Sequence, residues 1–167
     1  MEGLKGARAG ILTVSDSCSR GEREDASGPA LQAAARACGL EISRHAVVPD
    51  DRQSIASMLR QWCDDGACDL ILTTGGTGFS PTDCTPEAML EVVEKWVPGL
   101  SEMIRLKSSE KVQTSWLSRG TAGIRSRTLI VNLPGSRKAV EECFAFLLPL
   151  LPHALEVLTG RAYRCGG

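Results

Sequence analysis

Thr73-Thr74-Gly75-Gly76-Thr77-Gly78-Phe79-Ser80-Pro81-Thr82-Asp83-Cys84-Thr85-Pro86-Glu87-Ala88 follows the apolar run Leu70-Ile71-Leu72. The run reads as a buried strand and Thr85-Pro86 as a helix start. The loop between them carries glycines, hydroxyls and one carboxylate. Glycines let the backbone approach an anion and aim several N–H groups at it. The lone acid, Asp83, suits a metal ion bridging to the same phosphates. A tight turn accounts for Gly75–Gly78 equally well when the loop is taken alone. No Gly-Lys-Ser/Thr ends it, which excludes a Walker A loop, and Pro81 breaks a G-x-G-x-x-G fingerprint.

Working outward, the same strand-then-helix alternation recurs. Ala9–Val14, Leu40–Val48, Asp69–Thr74 and Thr128–Leu133 read as strands. Helices are expected from Ser27, over 55–62, over 86–95, over much of 99–118, and from Ser136 through Leu148, with Pro149 and Pro152 interrupting a last segment that runs to about Leu158. Leu31, Ala34, Ala35 and Cys38 repeat at helical spacing, and Gly39 stops that helix. Trp116 and Leu117 are expected to pack nearby, and the tail from Gly160 to be loose. Such alternation implies right-handed crossovers: an α/β fold of three α/β/α layers with a mainly parallel sheet. One domain spans 1–167, with its core over about 8–159. Ligands of such sheets bind beyond the carboxyl ends of the strands, which selects loops 15–27, 49–51, 74–86 and 133–137.

Bulk composition bounds the function. The chain has 167 residues, enough to bury a full core. Its net charge of −1 supplies no basic field for nucleic acid. No apolar run approaches the roughly 20 residues that span a bilayer, and Met1–Gly6 lacks the apolar core of a signal peptide. Seven cysteines without a C-x-x-C pair read as reduced thiols of a cytoplasmic protein. Cys63 and Cys68 come closest to a zinc pair, but no His lies near them.

Asp50 and Asp83 fall at strand ends on the expected site face. They suit a pair of Mg²⁺-directing carboxylates; an Asx-turn at Asp83 and helix capping at Asp50 are the structural alternatives. Ser15, Asp16, Ser17 and Asp25 share the first loop, which suits a polar ligand or an ordinary solvated surface. Five cations (Arg119, Arg125, Arg127, Arg137, Lys138) fall between Arg119 and Lys138 without an acid. They flank the helix start at Pro134-Gly135-Ser136, itself suited to an anion. His45 and His153 lie away from these loops, so a His-activated nucleophile is not expected. Carboxylates and glycine amides without His suit phosphoryl or nucleotidyl transfer, in which the protein positions groups and neutralises charge.

The sixteen-residue loop combines with Leu12-Thr13-Val14-Ser15-Asp16-Ser17, Asp25-Ala26-Ser27-Gly28, Val48-Pro49-Asp50 and Asn132-Leu133-Pro134-Gly135-Ser136. In that order they closely resemble the molybdopterin adenylyltransferase family, which includes bacterial molybdenum-cofactor enzymes, a plant G domain and the amino-terminal domain of gephyrin. The likeness covers residues 9 to about 159. It implies a homotrimer whose subunits bind molybdopterin and Mg-ATP, form adenylylated molybdopterin, and hand it to a molybdate-inserting protein. It implies essential acids at Asp50 and Asp83, with Mg²⁺ as their metal. It implies a nucleotide and substrate site at Thr74, Gly75, Gly76, Thr77 and Gly78, the first-loop residues, Arg119, and Pro134, Gly135 and Ser136. Thr82 stands where relatives often have Arg, and Arg119 is the expected compensating cation. Gly120 stands where some have Ser or Pro. A trimeric molybdopterin-binding scaffold without adenylylation is the alternative.

Overall fold

A computed structural model of the protein describes residues 4–161. Four strands run parallel: the buried β1 (Arg8–Val14), β3 (Leu70–Thr74) and β6 (Thr128–Leu133), and the largely polar edge strand β2 (Glu41–Val48). Two short strands, β4 (Lys95–Trp96) and β5 (Ala122–Arg125), join antiparallel. The sheet order is β2-β1-β3-β6-β5-β4.

Successive strand side chains point to opposite faces, and each face has its own core. Ile11, Leu70, Leu72, Leu129, Val131 and Leu133 meet α2 (Ser27–Ala37), α5 (Pro98–Ser109), α6 (Arg137–Leu147) and α7 (Leu151–Thr159). Leu12, Val14, Ile71 and Ile130 meet α3 (Arg52–Asp64) and α4 (Thr85–Val92). The expected three-layer architecture therefore follows from strands that are apolar on both sides.

The expected helix over 99–118 is two pieces. α5 ends at Ser109, and a 3₁₀ turn covers Gln113–Leu117. Trp116 and Leu117 do not pack into the core; Leu106, Val112, Trp116 and Leu117 are each more than half exposed. The helix expected to reach Lys95 stops at Val92, because Lys95 and Trp96 pair with Ile124 and Gly123. At the end expected to be loose, Gly160 closes α7 in the left-handed conformation and Arg161 bonds to Asp69. Residues 162–167 lie outside the described part. Among the described residues no single helix is long and apolar enough to cross a membrane.

The foot of the sheet is pinned by Asp69, whose side chain is only 4% exposed. It accepts from the Arg8 backbone N–H at 2.9 Å and from Arg8 Nη2 at 3.0 Å, and Arg161 binds the same carboxylate. Burial pushes its pKa up, but the bonds and charge of Arg8, with Arg161, outweigh that and hold the carboxyl below its usual range. A depressed carboxylate contributes stability that is present above its unfolded pKa and lost as pH falls through the folded value. Asp69→Asn is expected to cost about 2–3 kcal/mol at pH 7. Urea unfolding across pH should show the wild type losing that advantage below about pH 4 and the variant responding less.

Candidate active site

The shared parallel register starts the site loops at one level. Thr13 pairs with Thr74, Thr74 with Leu133 and Val14 with Val48. Ser15 N–H donates to the Val48 carbonyl at 2.9 Å, and Gly75 N–H to the Leu133 carbonyl at 3.1 Å. The four loops selected by the strand-end rule thus converge.

Asp16 and Asp50 lock the first two loops together. The backbone N–H of Asp16 donates to Asp50 Oδ2 and that of Asp50 to Asp16 Oδ1, each at 2.9 Å. Helix capping, the structural alternative for Asp50, is done by Asp51, whose carboxylate accepts from Ser54 N–H at 2.8 Å. Burial raises the Asp50 pKa; the Asp16 N–H opposes this, and the charges of Asp16 and Asp83 add to it. Burial, then Asp50, Glu87, Asp51 and Asp83, push the neighbouring Cys84 thiol up as well. Asp16, Asp50 and Asp83 therefore form one negative field.

The glycine loop is set by close approach. Gly75 and Gly76 have φ of +101° and +67°. A β-carbon on Gly75 would stand 2.3 Å from the Val14 carbonyl oxygen, and one on Gly78 would stand 2.8 Å from Asp83 Oδ2. Asp83 folds back on its own turn, accepting from Ser80 N–H at 3.1 Å. All four carbonyls from Gly75 to Gly78 are held by the protein. Thr85 takes two: its hydroxyl donates to Gly75 O at 3.0 Å and its N–H to Gly76 O at 3.1 Å. Arg119 takes the others: its N–H donates to Thr77 O and its Nε to Gly78 O, both at 2.8 Å. None of the hydrogen bonds among the described residues is donated by the N–H groups of Gly76, Thr77 or Gly78. A loop with its acceptors engaged and its donors available is an anion cradle.

Beside the cradle lies a cleft of about 400 Å³ between loops 15–27 and 134–137. Ser15, Asp25, Thr74, Gly135 and Ser136 line it, as expected from the sequence; Cys18, Arg23 and Arg137 join them. Ser17 reaches Ser15, their hydroxyls 3.3 Å apart. Thr74 Oγ1 donates to the Pro134 carbonyl at 2.9 Å, fixing the turn that closes the cleft. Asp25 turns back onto the fold, accepting from Thr13 Oγ1 at 2.7 Å and Gly28 N–H at 2.9 Å. It thereby caps α2 from two residues upstream of Ser27, which was the expected cap.

The five cations of 119–138 are dispersed rather than gathered at the helix start. Arg125 pairs with Asp64 at 2.9 Å, and Arg127 lies at the foot of the sheet near Asp69. Arg137 alone of the five lines the cleft. Arg119, expected as a compensating phosphate ligand, is turned onto the loop and onto Glu87, whose carboxyl that hydrogen bond holds below its usual range. Four of its N–H groups are engaged with Gly78, Asp83 and Glu87, out of five that a guanidinium has. Thr85 is expected only to start the helix, but its hydroxyl turns back to the loop and Cys84 stands at the cap position; neither it nor Glu87 is an expected site residue, and the acid in the first turn was the available signal. Arg23, a single basic residue in a polar loop, offered none.

Three comparisons bear on this geometry. Residues 10–153 match the MoCF_biosynth family, described as a probable molybdopterin binding domain. The chain is 40% identical over 153 residues to a molybdopterin adenylyltransferase of Helicobacter pylori, covering 90% of this chain and 87% of that protein. It is 46% identical over 153 residues to the molybdenum cofactor synthesis protein cinnamon of Drosophila melanogaster, covering 89% of this chain but only 25% of that protein. The chain thus spans about a quarter of cinnamon's length. Among solved structures, the molybdopterin biosynthesis enzyme MoaB of Thermus thermophilus superposes with a TM-score of 0.89 at 47% identity, covering 95% of this chain and 99% of that one. A six-stranded sheet with this cradle at its carboxyl edge, matched over most of its length, places the chain in the MoCF_biosynth family of molybdopterin-binding domains.

Proposed function

We propose that the chain transfers AMP from ATP to the terminal phosphate of molybdopterin and releases pyrophosphate. The observation that carries this reading is the glycine loop, whose carbonyls are bound internally and whose amides are available beside Asp83 and Asp50. The Helicobacter pylori relative, a molybdopterin adenylyltransferase, points the same way.

The chemistry needs little from the protein beyond placement. A phosphate monoester has a second pKa of about 6, so the attacking group is already anionic at neutral pH and requires no histidine. An oxygen of that phosphate forms a bond to the α-phosphorus of ATP. The bond from that phosphorus to the bridging oxygen breaks, and its electron pair leaves with pyrophosphate. Amides of Gly76, Thr77 and Gly78 donate to the charged phosphoryl oxygens in this reading. The cleft holds the polar substrate, with Arg23 and Arg137 on its wall.

Asp50 and Asp83 are the residues that would hold Mg²⁺. No three His, Cys, Asp or Glu side chains among the described residues converge to hold an ion by themselves. The Asp83 charge acts on Asp50, and two such carboxylates suit magnesium, which takes one or two from a protein and completes its shell with phosphates and water. Bound with ATP, the ion supplies neutralisation of the triphosphate and of the departing pyrophosphate.

The reading extends to assembly and place. The exposed Leu106, Val112, Trp116 and Leu117 on α5 and the following 3₁₀ turn support an interface between copies in a homotrimer. The six cysteines among the described residues are free thiols, which suits a reducing cytoplasm. The product passes to a molybdate-inserting protein. A relative in Synechococcus elongatus, named a molybdenum cofactor biosynthesis bifunctional protein, supports that link.

With molybdopterin, ATP and Mg²⁺, pyrophosphate release should be ATP-dependent, and Asp83→Asn should lower turnover at least about tenfold; tight molybdopterin binding without release would favour the scaffold role. Asp50 carries the opposite sign from Asp69. Its raised pKa makes the ionised form unfavourable, so stability falls as pH rises through the folded value. Asp50→Asn should therefore melt higher than wild type at pH 7 in EDTA while losing turnover. Light scattering at micromolar concentration should give a mass near three chains; a monomer there removes the trimer.

A further inference from the structure

Arg119 holds the glycine loop by its carbonyls. In a trans peptide the C=O and the following N–H point in opposite directions. Arg119 N–H and Nε draw Thr77 O and Gly78 O to one side. The N–H groups of Gly78 and Phe79 are therefore turned to the other. The same guanidinium donates through Nη2 to the Asp83 carbonyl at 2.9 Å, fixing the backbone that carries that carboxylate. Glu87, on the first turn of α4, pairs with both terminal nitrogens and keeps the guanidinium in this orientation. Arg105 of α5 steadies the segment from behind, its Nη1 donating to Gly120 O at 2.9 Å and Ser118 O at 3.3 Å. Side chains from two helices, α4 and α5, thus set the cradle's shape through one arginine.

We propose that Arg119, ion-paired with Glu87 and backed by Arg105, is a positioning residue that aims the glycine-loop amides and Asp83, and is not itself a phosphate ligand. Its effect on turnover rests on the adenylyl-transfer reading; its effect on loop order does not. Lysine keeps the charge but lacks the planar fork that reaches two carbonyls and a carboxylate at once. Glutamine at 87 keeps the volume and removes the ion pair, leaving the arginine intact.

The test compares Arg119→Lys and Glu87→Gln with wild type in three measurements: exchange of the hydrogen-bonded amides of Ser80, Asp83 and Thr85 without nucleotide, ATP dissociation constant, and kcat with KM for ATP. A positioning role requires faster exchange at those three amides in both variants, larger in Arg119→Lys. It also requires kcat lowered about 10- to 100-fold in Arg119→Lys with ATP affinity nearly unchanged. Unchanged exchange in both variants overturns it. So does the signature of a masked phosphate ligand: tighter ATP binding in Glu87→Gln and weaker binding in Arg119→Lys. Should Arg119→Lys fail to fold, Glu87→Gln carries the same comparison. If exchange responds but wild type transfers no AMP, the brace stands and the enzymatic reading falls.

Discussion

Parallel hydrogen bonding of β1, β3 and β6 in a common register constrains everything above it. Because Thr13, Thr74 and Leu133 stand abreast, three chain segments leave the sheet at the same height. They must turn within a few ångströms of one another. Only a chain without side chains at the tightest crossing can do so, which is why Gly75 passes under the Val14 carbonyl. The loops then have no freedom to separate, and backbone groups that would otherwise face water are sorted. Acceptors go to Thr85 and Arg119, and donors go to the open side.

The cost of this arrangement is electrostatic. Asp16, Asp50 and Asp83 are brought together, and the negative field reaches Cys84. A fold selected for stability alone would not crowd three carboxylates beside a partly buried thiol. Charge-balanced groups occur at the opposite pole, where Asp69 sits between Arg8 and Arg161. The foot's carboxylate is balanced by two arginines while the head's three carry no such ion pair among the described residues, and perturbed acids of this kind cluster at functional sites.

Much of this was legible in the residues. The apolar runs of β1, β3 and β6 are long enough to identify buried strands. The four loops followed from the rule about their carboxyl ends. β4 and β5 were not legible, since two and four residues including Gly123 and Lys95 carry no periodicity. The break in α5 was hidden because the residues after Ser109 remain helix-compatible. Within the site, Asp50 and Asp83 stand out by type and position. Arg119 does not: a cation near a phosphate loop looks like a ligand until its partners are seen 32 and 41 residues away at Glu87 and Gly78. The helix does start at Ser27, but its cap was hidden because Asp25 is a residue type that serves both as cap and as ligand.

The ion pairs at Asp69 have a consequence for how such a unit can be joined to others. They bring residue 8 and residue 161 to the same carboxylate, at the amino end of β3, while the glycine loop leaves its carboxyl end. At about 3.3 Å per residue the five residues of β3 separate those points by about 17 Å. Polypeptide attached near either position departs from the pole away from the cradle. That separation suits a unit carried as a module within a longer chain, as its match to a quarter of cinnamon illustrates.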